Sequence, residues 1–130
     1  MGIVFGAVAP HGFPIIPELS DDAEGGLATR AAMGVLAQRC AAARPDVLVV
    51  ATPHGVRVDG MVCLAYTARG AGTLRWHGRQ IEMNVPLDRA ATEAIAEAAR
   101  ELGVPIALAG FAGNRWDQSV TPLAWGTMTP

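Results

Sequence analysis

Two apolar runs that end in the same tripeptide constrain this chain more than any other feature. The first, Ile3-Val4-Phe5-Gly6-Ala7-Val8-Ala9, leads into Pro10-His11-Gly12, and the second, Val47-Leu48-Val49-Val50-Ala51-Thr52, leads into Pro53-His54-Gly55. Short, unbroken apolar runs read as strands covered on both faces. Between them, Leu27, Ala31, Val35, Leu36 and Cys40 recur at helical spacing over 27–43. Asp21-Asp22-Ala23-Glu24 precedes this segment as a capping pattern and Arg44-Pro45 closes it. Strand, helix and strand within about fifty residues predict a parallel pair joined by a right-handed crossover. In such a sheet His11 and His54 leave the same edge, at the strand ends where open α/β folds place their sites.

The residues around each histidine strengthen that placement. Proline fixes its own φ and pushes the preceding residue toward extended geometry, and glycine afterwards lets the chain turn away. A side chain held this way points out past the sheet. Neutral imidazole is the commonest protein ligand for a divalent metal, so two such corners let both rings converge on one ion. A hydrogen-bonded loop residue is the competing role for either histidine alone. His77, in Arg75-Trp76-His77-Gly78-Arg79, reads instead as a solvated residue in a hairpin turn.

Further along, Gly60 to Tyr66 predicts a strand, and Thr73 to Trp76 and Gln80 to Val85 predict two short antiparallel additions. Asp88 caps a second helix with Ala91, Ile95, Ala98 and Leu102 on its buried face and Gly103 as its stop, and Val104 to Ala109 is another buried strand. The expected fold is α/β: three layers, α/β/α, around a mixed, mainly parallel sheet containing 3–9, 46–52 and 104–110 and incomplete within this chain. At 130 residues with 51% hydrophobic side chains, one domain over 1–130 is expected.

Composition excludes some functions. Ten arginines, without a single lysine, face twelve carboxylates in no extended runs, so no basic face for nucleic acid is expected. The apolar runs are too short to cross a bilayer and no basic region precedes the first, which predicts a soluble, cytoplasmic protein with no membrane partner. Cys40 and Cys63 form no CxxC pair and read as reduced, buried thiols.

Four stretches together resemble a known family. They are Ala9-Pro10-His11-Gly12-Phe13-Pro14-Ile15-Ile16-Pro17-Glu18-Leu19, the helix ending in Arg44-Pro45-Asp46, the run Val47 to Gly55, and Trp116-Asp117-Gln118-Ser119-Val120-Thr121-Pro122-Leu123. They are similar to the class III extradiol ring-cleavage dioxygenases, a superfamily that includes the catalytic subunit of protocatechuate dioxygenase and the Memo-like proteins. The similarity runs nearly the whole length of this chain and covers the N-terminal half of a typical member.

The resemblance implies that His11 and His54 are two ligands of a mononuclear non-haem Fe(II), which brings a catechol-type substrate and O2 together and inserts oxygen next to the diol. Zinc is the alternative ion, because imidazole suits both. In the family a glutamate ligand and a catalytic histidine come from the C-terminal half, so this chain alone is expected to be inactive. Where members tend to have Asp-His-Gly, this chain has Asp117-Gln118-Ser119. Gln118 then occupies the place of the histidine in that Asp-His-Gly, a second acid–base residue of the family, and can only exchange hydrogen bonds, with Asp117 beside it as a substrate-binding residue.

Glu18 and Asp117 are the nearby carboxylates that could stand in as third ligand. Trp116 and Trp125 are expected in the core or at an interface. A homo- or hetero-oligomer is expected, because an unfinished sheet and exposed tryptophans favour a partner. The alternatives are a non-catalytic subunit or degenerate member of the family, acting by association, and a Memo-like metal-binding protein.

Overall fold

The computed structural model describes residues 2–22, 24–111 and 115–129. In chain order its elements are α1 (Leu27–Ala43), β1 (Val62–Ala65), β2 (Arg69–Trp76), β3 (Arg79–Pro86), α2 (Arg89–Glu101), β4 (Ile106–Ala109), β5 (Val120–Pro122) and the single turn α3 (Trp125–Met128). Short 3-10 turns lie at Phe13–Ile15 and Trp116–Gln118.

The longest ladder is the β2–β3 hairpin, paired antiparallel from Arg69↔Pro86 to Trp76↔Arg79. Its two-residue loop is His77-Gly78 with φ of 47° and 81°, the positive pair that matches the twist of a tight hairpin. The sequence placed His77 in this turn. It is not merely solvated there, because the Asp21 carboxylate meets His77 Nδ1 and pairs with Arg79, which ties the hairpin tip to the loop before α1.

β5 lies parallel to the start of β2, with Arg69↔Val120 and Ala71↔Pro122 in register. Along one face of β2, Gly70 and Gly72 leave room for Leu123, and Gly72 also for Met128. A Cβ at Gly70 would stand 2.8 Å from Leu123 Cδ2. Leu74 follows on the same face and, with Leu19 and Met128, makes the buried core, against which Phe13, Ile16, Ile81, Met83 and Leu123 pack.

β1 and β4 form a second, parallel pair from Val62↔Ile106 to Ala65↔Ala109, with α2 on the path between them. The two ladders meet at Tyr66–Ala68. Tyr66 N–H donates to Ala109 O at 2.7 Å, Ala68 N–H donates to Ser119 Oγ at 3.0 Å, and the Thr67 and Thr121 hydroxyls bond at 2.8 Å. The result is a small α/β fold with both parallel and antiparallel strands.

Several expectations hold at residue level. The first helix spans the predicted 27–43, and Asp88 caps α2 by accepting from Ala91 N–H at 2.9 Å. Others need correction. Segments 3–9 and 46–52 are not strands, and the parallel pair proposed between them does not form. Val8 is fully exposed, and Val47 to Val50 are 39–69% exposed. An apolar run signals a preference for burial without naming its neighbour, and here the available ladders are completed by β4 and β5.

The capping pattern also acts elsewhere than predicted. Gly26, at φ 78°, precedes α1, whereas Asp22 Oδ1 accepts from Gly25 and Glu24 N–H groups at 2.7 and 3.0 Å in the turn before it. These amides, Gly25 first, hold the Asp22 carboxyl below its ordinary value. On α2, Ala96 is buried with Ile95 and Ala99 beside it, but Ala98 is exposed and Leu102 is 80% exposed. Leu102 is already the C-cap, and Gly103 at φ 70° turns the chain off the helix axis. Cys40 and Cys63 are free thiols, half-buried rather than buried.

Candidate functional site

Although the strands that were to carry them are absent, the two Pro-His-Gly corners meet. His11 Nε2 and His54 Nε2 lie 2.9 Å apart, across 43 positions of sequence. Each corner turns as its glycine allows, with Gly12 at φ 144° and Gly55 at φ 115°. His11 is exposed and His54 half-buried.

Both corners touch the turn α3 and its cap Thr129. Thr52 Oγ1 receives the His54 N–H at 3.2 Å and donates to Gly126 O at 3.4 Å. Thr129 Oγ1 accepts from Gly12 N–H at 3.2 Å. The Trp125 ring stacks on His11 with centroids 4.9 Å apart at 30°, and lies 4.3 Å from the His54 ring at 45°. The two imidazoles are themselves edge-on, 5.0 Å between centroids at 63°. Trp125 is therefore not a core residue: at 39% exposure it is one wall of the histidine pair.

Gly126 is the other residue that the sequence did not single out. A Cβ built there would stand 2.8 Å from His54 Cγ and 3.0 Å from Nε2, so the ring occupies the volume of the missing side chain. The available signal was a glycine directly after a tryptophan in a segment already suspected of function.

The pair suits a metal. Two metal–nitrogen bonds of about 2.0–2.1 Å meeting at about a right angle span about 2.9 Å, whereas a tetrahedral angle would need about 3.3 Å. The same separation also suits an Nε2–H···Nε2 hydrogen bond between neutral imidazoles of opposite tautomer. Among the described residues, no group of three or more His, Cys, Asp or Glu side chains could hold an ion. Glu18 and Asp117 thus do not join the histidines as a third ligand. Glu18 is exposed in the loop before Leu19, and Asp117 is held by Arg115, with Nε to Oδ1 at 3.0 Å and Nη2 to Oδ2 at 2.5 Å.

Asp117 and Gln118 sit in the exposed 3-10 turn Trp116–Gln118. Their turn is fastened at Trp116, whose ring meets Tyr66 edge-on at 4.9 Å and carries the Arg89 guanidinium 4.7 Å above it. Glu93 gathers this cluster, accepting from the Tyr66 hydroxyl and from Arg89 Nε at 2.8 Å. The hydrogen bond from Tyr66, then that from Arg89, holds the Glu93 carboxyl below its ordinary value. The bond to Glu93 pushes the Tyr66 phenol up.

A family model described as the catalytic LigB subunit of aromatic ring-opening dioxygenase matches residues 7–130. That span takes in both histidine corners, the Trp116–Gln118 turn and α3. No curated protein and no solved structure matches the chain.

Proposed function

The chain belongs to this family of aromatic ring-opening dioxygenases, and on that premise we propose that it serves a non-haem Fe(II)-dependent extradiol dioxygenase of catecholic substrates. His11 and His54 are two of three metal ligands in this reading. The observation that carries it is the 2.9 Å separation of the two Nε2 atoms, close enough for both imidazoles to reach one ion.

When bound, the metal supplies the electronic coupling between an aromatic diol and dioxygen that opens the ring beside the diol. The chain's own residues set the stage. Two neutral imidazoles hold a divalent cation without cancelling its charge, so the site attracts the anionic form of a diol. Trp125 closes one side against water, and the exposure of His11 leaves another side open to substrate. Gln118 offers an amide donor and acceptor to a substrate oxygen but no proton to exchange, with Asp117 beside it in the same exposed turn. The third donor, a carboxylate, comes from outside the described residues, and the chain by itself is inactive.

We read residues 1–130 as one domain that associates with further copies or another chain. The protein exposes 9090 Å² of surface, against about 6,500 Å² expected for a compact monomer of 13.5 kDa. That excess also favours the second reading, a non-catalytic family member that acts by association. Among the described residues, no helix is long and apolar enough to cross a membrane.

The test is O2 uptake and formation of the yellow ring-opened product from a panel of catechols after anaerobic Fe(II) loading. It is run on the chain alone and on the assembly that co-purifies with it. Iron-dependent turnover confined to the assembly is expected. An iron-loaded assembly that consumes no O2 with any catechol supports the non-catalytic reading, and activity with zinc in place of iron contradicts the proposal.

A further inference from the structure

We infer that the turn α3 is the positioning element of the histidine pair: Trp125 sets the planes of both imidazoles, and the missing side chain of Gly126 gives His54 the space to reach His11. The inference rests on the reading of His11 and His54 as metal ligands, and it assigns roles to two residues that touch neither metal nor substrate.

Three independent contacts support it. The corners lie on chain segments that are not paired in any ladder, so nothing in the β-structure fixes their separation. Both are instead tied to the same five residues, His54 through Thr52 to the Gly126 carbonyl, and Gly12 directly to Thr129 Oγ1. One indole touches both rings, at centroid distances of 4.9 and 4.3 Å. A free imidazole rotates about χ1 and χ2, and two rotating rings reach a common ion only by surrendering that freedom on binding. An indole already packed against both bears the ordering cost in advance, which raises metal affinity without adding a ligand.

Gly126 sets the limit on this arrangement. A methyl group at that position would overlap the His54 ring, with Cγ only 2.8 Å away. Since the other side of α3 is held to β2 through Met128 and Leu123 at Gly72, the turn cannot simply back away. The ring has to move, and with it Nε2.

Ring-current shifts in proton NMR read this geometry without any metal. In the metal-free chain, the ring protons of His11 and His54 should lie upfield of free imidazole. Trp125→Leu should return both toward the free position, and Gly126→Ala should move His54 most. Neither change should move His77, which stacks on Trp76 instead. Should Trp125→Leu fail to fold, judged by the hairpin amide resonances, Gly126→Ala carries the same test through a single added methyl. Unchanged His11 and His54 resonances in folded variants overturn the inference.

A Co(II) titration of the same proteins supplies the second arm. Trp125→Leu and Gly126→Ala should each weaken binding by about 10- to 100-fold, the range seen when groups that orient metal ligands are removed. Trp125→Phe should recover most of the loss, which a simple packing defect elsewhere would not. Full affinity in Gly126→Ala overturns the inference. Ring shifts that respond as described in a wild-type chain that takes up no Co(II) leave the positioning role standing and remove the metal reading.

Discussion

The two parts of this molecule bury their apolar residues to very different degrees. Through Leu74, Ile81 and Met83 the hairpin packs against Leu19, Leu123 and Met128 in a small core. Ile3, Val4 and Val8, and Val47 to Val50, are just as apolar and lie open to solvent. The packed part has alternation and turn chemistry that specify a partner, such as Gly70, Gly72 and Leu74 on one face of β2 and His77-Gly78 at its tip. The open part has only unbroken hydrophobicity, which favours burial against many surfaces and selects none. The candidate site lies where the two meet: the open part carries the histidines and the packed part, through α3, holds them.

Substitutions should separate the two parts, beginning with the largest effect. Leu74→Ala removes a nearly buried side chain from the core and should cost about 2–5 kcal/mol in chemical denaturation. Asp88→Ala removes the cap of α2 and should cost about 0.5–2 kcal/mol by the same measurement. Leu48→Asn, at a position 67% exposed, should leave stability within about 0.5 kcal/mol. It should, however, reduce self-association in sedimentation velocity if that surface is a contact between chains. A Leu48→Asn loss comparable to Leu74→Ala would show that the open part is packed after all.

The smallest expected effect is spectroscopic and belongs to the Trp116 cluster. The lowered Glu93 pKa means that its bonds contribute above the unfolded carboxyl value and are lost as pH falls through the folded one. The raised Tyr66 pKa means that its bond persists below the phenol's ordinary value and is lost as pH rises through the folded one. Trp116 emission should therefore stay level between those limits and change at both. Tyr66→Phe should abolish the alkaline step and leave the core intact, and an alkaline step that survives it would assign the change elsewhere.

How much of this was legible in the sequence follows the same division. Helix 27–43, the Asp88 cap and the hairpin could be read because local pattern and local capping decide them, whereas the buried strand expected over 104–109 is the shorter, half-buried β4 (Ile106–Ala109). Strands 3–9 and 46–52 could not, since a strand exists only with its neighbour. The meeting of His11 with His54 was legible from the repeated Pro-His-Gly, although the reasoning passed through a sheet that is not there. Trp125 and Gly126 were not, because their importance lies in contacts to residues 71 to 114 positions away. Asp117 looked free to act as a ligand until Arg115, two positions earlier, proved to hold it.

The claim that joins both parts is that His11 and His54 share one ion. Anaerobic calorimetric titration with Fe(II) tests it most directly, on the wild-type chain, His11→Ala, His54→Ala and His77→Ala. A single weak site per chain is expected, abolished by either of the first two substitutions and kept in the third. Binding that survives both His11→Ala and His54→Ala unchanged would contradict it.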